Sequence, residues 1–198
     1  MSDRSTLYLA CSALGVLALA SAPQVSADDA RTQAATTEHH SGGDQRKKAS
    51  ELVKIVRQAT VRFRDVAAAE AENYHLLFGC VSGPDAGAMG LHYVNMELVG
   101  DPAIDPTRPE IVIYEPTSHG RPRLTGADFL VLAADWDKTH TQAPELNGQL
   151  FHYFEAPNRF GLPPFYTLHV WAWKDSPTGT FVNWNHNVSC DAFDGPSK

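Results

Sequence analysis

The sequence predicts an α+β domain, with a long N-terminal amphipathic helix packed on a curved, mainly antiparallel sheet or small barrel. Three features lead there. Apolar residues recur three and four apart over residues 46–74, at least five β-branched and aromatic segments follow with turn residues between them, and 198 residues at 43% apolar content suffice for one sizeable core. Residues 46–198 are therefore expected to fold as a single domain.

Ahead of that domain, Arg4 precedes an apolar run over residues 7–20, and Val25-Ser26-Ala27 ends in the small side chains a signal peptidase reads. Residues 1–27 are expected to be a cleaved signal peptide. The run is about 14 residues, short of the roughly 20 needed to span a bilayer, so the mature chain is expected to carry no transmembrane segment and to be secreted or periplasmic. Residues 28–45 are polar and small, His39-His40 included, and read as a flexible leader.

The helix is carried by Leu52, Ile55, Val56, Ala59, Phe63, Val66 and Ala67, with Lys54, Arg57, Arg62 and Arg64 between them. After the turn-rich Gly83-Pro84-Asp85-Ala86-Gly87, residues 89–94 read as a strand. Residues 110–115 and 123–132 form an expected hairpin about Ser118-His119-Gly120. Residues 149–154 and 166–173 supply two more strands, separated by a Pro-rich connection. Cleavage would remove Cys11 and leave Cys80 and Cys190. Neither lies in a CxxC or beside a histidine, so a disulfide is expected ahead of a thiolate metal site or a reactive thiol.

Chemistry is suggested by ionisable groups on strand faces that their neighbours make apolar, because residues two apart share a face. Glu115 shares parity with Ile111 and Ile113, Asp128 with Leu124 and Leu130, His152 with Leu150 and Phe154, and His169 with Trp171 and Trp173; His92 lies between Gly90 and Val94. Buried without partners, such groups would each cost several kcal/mol, so they must pair with one another, hold a metal, or await a polar ligand. His92, Glu115, His152 and His169 form the candidate metal set, suited to a divalent ion such as Zn, Cu or Fe, with Asp128 as candidate general base. Phe129, Phe151, Trp171 and Trp173 are the candidate apolar lining of a ligand pocket. No HxH, HExxH or GxSxG pattern occurs. His75, His119, His140 and His186 fall in or beside expected loops and should face solvent.

Several segments resemble a family of small exported bacterial proteins of no assigned activity. They are Cys80-Val81-Ser82-Gly83, Ala88-Met89-Gly90-Leu91-His92-Tyr93-Val94-Asn95, Tyr114-Glu115-Pro116, and Leu168-His169-Val170-Trp171-Ala172-Trp173 with Trp184-Asn185 and Cys190. The resemblance covers residues 50–190 and implies bacterial export and one domain with a helix ahead of its strands. It carries no catalytic residues.

A net charge of -7 and the lack of a basic stripe argue against a nucleic-acid partner. Three functional classes stay open. The first is an envelope protein that binds a metal ion in a polar pocket inside the sheet. The second is a metal-dependent enzyme, an oxygenase or hydrolase, using the same pocket; the third is a metal-free carrier of a small apolar molecule.

Overall fold

A computed structural model describes residues 27–196, with side chains from residue 42 onward, so all but the last residue of the expected signal peptide lies outside the described residues. The chain divides into two units, Met1–His40 and Ser41–Lys198. Only helical backbone is described in the first; the second carries the core and the sheet.

Helix α1 runs Ala27–Thr60. This span includes residues 28–45, which were expected as a flexible leader. Within the second unit Leu52 and Val56, four apart and fully buried, join a cluster with Ala127, Phe129, Leu168 and Val170. The single helix expected over residues 46–74 is in fact broken after Thr60. The Thr60 hydroxyl donates to Val56 O at 2.7 Å, a 3-10 turn covers Val61–Arg64, and Asp65 accepts from Ala67 N to cap a second helix, α2, Val66–Ala71. The break turns Phe63 into a second cluster with Tyr74, Tyr93 and Tyr114. Side chains from β3 and from just beyond β8 meet the polar groups at the break: Tyr114 Oη donates to Phe63 O at 2.7 Å, and Trp173 Nε1 donates to Thr60 Oγ1 at 2.9 Å.

The strands follow as β1 His75–Gly83, β2 Gly87–Val94, β3 Ile111–Glu115, β4 Arg123–Leu132, β5 Glu145–Leu146, β6 Gln149–Leu150, β7 His152–Phe154 and β8 Phe165–Val170. Two short helices, α3 Met96–Val99 and α4 Ala133–Trp136, follow β2 and β4. Six strands form a curled antiparallel half-barrel in the order β1-β2-β3-β4-β8-β7, while β5 and β6 pair separately. The expected hairpin about residues 116–122 is present, and the turn-rich Gly83–Gly87 segment joins β2 to a strand that was not expected, β1. The strand expected over 149–154 is split at Phe151, which is buried and donates its backbone N–H to Pro144 O.

Alternation gives the sheet two differently covered faces. Phe129, Leu168 and Val170 point to the side of Leu52 and Val56. Ile111, Ile113, Leu130, Phe165 and Trp171 point to the other, where Phe160, Leu162, Val182 and Val188 from irregular segments pack on them. A disulfide joins Cys80 of β1 to Cys190.

Candidate metal centre

The second face is where the ionisable groups meet. β4 and β8 place Asp128 directly opposite His169, and β3 sets Ile111 opposite Asp128 and Ile113 opposite His92 of β2. One ligand atom from each of His92, Asp128 and His169 lies within 4.8 Å of the other two, and all three side chains are buried.

Each group is held differently. His92 Nδ1 lies 3.1 Å from Gly90 O; assigning the ring proton there makes Nε2 the free acceptor, the arrangement that orients a metal-binding imidazole. Asp128 Oδ1 accepts from the Thr167 hydroxyl. His169 Nδ1 is 3.4 Å from Asp128 Oδ1, yet neither of its ring nitrogens makes a hydrogen bond. The Asn183 side chain faces the ring closely enough to favour its protonation, but Asn183 Oδ1 is also buried without a hydrogen-bond partner.

Burial dominates the electrostatics. It pushes His92 down to about 4, the neighbouring His169 lowering it further while Asp128 opposes the fall, and it pushes His169 down to about 3. Burial also raises Asp128 to about 6 against the Thr167 hydrogen bond and the nearby histidines. At neutral pH the group is thus two uncharged imidazoles and one carboxylate, the protonation state a cation requires of its ligands. The three line a cavity of about 20 Å³, walled by Phe78, Phe154, Phe160, Leu162 and Phe165 together with Met89. That space suits an ion or a water rather than an organic molecule.

The candidate residues separate clearly. His92 and His169 meet as expected, and Asp128, expected as a base, stands among the ligand atoms instead. Glu115 is buried but does not join them. It sits four residues along β3 from Ile111, about 13 Å at strand rise, opposite Arg123, where it is neutralised by Lys174 Nζ at 2.6 and 2.7 Å and Arg123 at 2.9 Å and accepts from Ser189 N at 3.2 Å. Correct parity put it on the right face and the wrong end. His152 lies opposite Thr167 on the edge strand and is exposed, so it stands outside the cluster.

Of the four expected lining aromatics only Trp171 is beside the site, its ring 6.0 Å from that of His169. Phe129 and Phe151 follow or precede an ionisable residue by one position, so alternation sends them to the α1 side. Trp173 lies against Thr60 and under Arg64. His75, His119, His140 and His186 are exposed, as expected. Sequence parity did not single out Thr167, two positions before His169 on the same face, or Met89. Compared with known families, curated proteins and solved structures, the chain matches none.

Proposed function

We propose that this is an exported protein of the cell envelope whose sheet holds a divalent or transition-metal ion through His92, Asp128 and His169. The observation that carries the reading is the convergence of one ligand atom each from buried His92, Asp128 and His169 within 4.8 Å of one another, with both ring nitrogens of His169 outside hydrogen-bond geometry. A structural role would leave those nitrogens paired, since an unmet buried polar group costs about 1–3 kcal/mol. Imidazole and carboxylate donors suit Zn, Cu or Fe, and a cation would balance the negative charge the three carry at neutral pH.

The disulfide and the export signal expected in residues 1–27 together support an extracytoplasmic setting, where such bonds persist. Among the described residues no helix is long and apolar enough to cross a membrane. Three protein ligands leave coordination positions for a substrate, the requirement of a metal-dependent oxygenase or hydrolase. The cavity's small volume weighs against the metal-free carrier.

Metal analysis of untagged protein recovered from the export compartment tests the proposal. About one equivalent of metal is expected, and a His92→Ala, His169→Ala double variant that remains folded should hold none at the site. Metal-free wild-type protein that cannot be reloaded with Zn, Cu or Fe would overturn it.

A further inference from the structure

Met89 and His92 are three positions apart on β2, yet both line the cavity. A regular strand would send them to opposite faces. Across the β1–β2 ladder Val81 pairs with Gly90 and Ser82 with Ala88, so Met89 is an extra residue without a partner. Such a bulge redirects the side chain it carries. Gly90 makes it possible with φ +90°, since a Cβ there would lie 2.4 Å from Tyr114 O. The carbonyl that meets His92 Nδ1 belongs to this same glycine. One irregularity therefore brings the Met89 side chain to the cavity and places the carbonyl that meets His92 Nδ1.

Met89 is 1% exposed. A buried methionine is ordinarily a filler of irregular core space. This one lines an ion-sized space with two imidazoles and a carboxylate, in a cavity that already has seven other apolar residues in its lining. We propose that the Met89 sulfur is the fourth donor of the centre, completing a two-histidine, aspartate and methionine set that favours copper, and cuprous copper above all, over zinc. Imidazole serves all of these ions, while a neutral thioether is a soft donor that stabilises copper and adds little for harder divalent ions. The inference rests on His92, Asp128 and His169 being ligands.

Affinity for Cu(I), measured by competition with bicinchoninate, and for Zn(II), measured against a chelating dye, tests it in protein carrying His39→Ser and His40→Ser throughout. A Met89→Leu variant keeps the volume of the side chain. Its Cu(I) affinity should fall about tenfold or more, with Zn(II) affinity changed by less than about threefold. X-ray absorption of the Cu(I)-loaded protein should show a sulfur neighbour that the variant lacks. Selenomethionine-labelled wild-type protein, whose fold is undisturbed, should show selenium beside copper. Equal Cu(I) affinities, or copper with only nitrogen and oxygen neighbours, would overturn the role of Met89. If His169→Ala binds both metals as tightly as wild type, the three-ligand reading fails as well.

Discussion

Glu110, 2% exposed at the entrance to β3, is a buried carboxyl group outside the His92, Asp128 and His169 cluster whose Oε2 accepts from Leu130 N at 3.0 Å. Burial drives it from 4.5 up to about 8; the Leu130 hydrogen bond opposes the rise, and the negative charge of Asp128 adds to it. The folded chain thus binds this proton more tightly than the unfolded chain does. Its contribution to stability is intact below pH 4.5, declines as pH climbs toward 8 and is flat beyond. A Glu110→Gln variant keeps an acceptor for Leu130 and removes the titration. Urea midpoints collected from pH 5 to 8.5 should show the variant gaining on wild type by up to a few kcal/mol, with the difference levelling off above pH 8. Parity could find His92, Asp128 and His169 because each lies on an apolar face. It could not find Glu110, whose burial depends on a hydrogen bond to a strand twenty positions away.

At the scale of elements, the β2 bulge is the decisive irregularity. A Gly90→Ala substitution must force a Cβ against Tyr114 O in a backbone conformation that L residues avoid. It should destabilise the fold by about 3 kcal/mol or more, and any folded fraction should bind metal more weakly because His92 loses its anchor. Thermal unfolding with and without metal checks both effects. β2, β3, β4 and β8 were legible because their apolar and β-branched runs are bounded by glycine and proline. β1 was not: Phe78 and Gly79, both at positive φ, interrupt its pairing between Leu77 and Cys80 and erase the alternation that announces a strand. The helix break after Thr60 was hidden for a related reason, since the groups that stabilise it, Tyr114 and Trp173, come from far along the chain. Bulges likewise placed Met89 beyond the reach of a period-two rule.

On the scale of the molecule, the Cys80–Cys190 bond spans 110 residues, and in the chain-entropy account closing a loop of that length contributes about 4–5 kcal/mol. A Cys80→Ala, Cys190→Ala variant, or wild type under reductant, should lose stability on that order, with a lower melting temperature read by circular dichroism. The pairing was legible once the expected signal peptide was set aside, whereas the position of Glu115 was not: its partner Lys174 lies beyond the last strand, and nothing local marks the pair. Every ligand-bearing strand falls between the two cysteines. A protease that cuts once in a loop of that interval therefore leaves two pieces still covalently joined, migrating as one band without reductant and as two with it, and the three candidate ligands stay on a single tethered molecule after the peptide chain is severed.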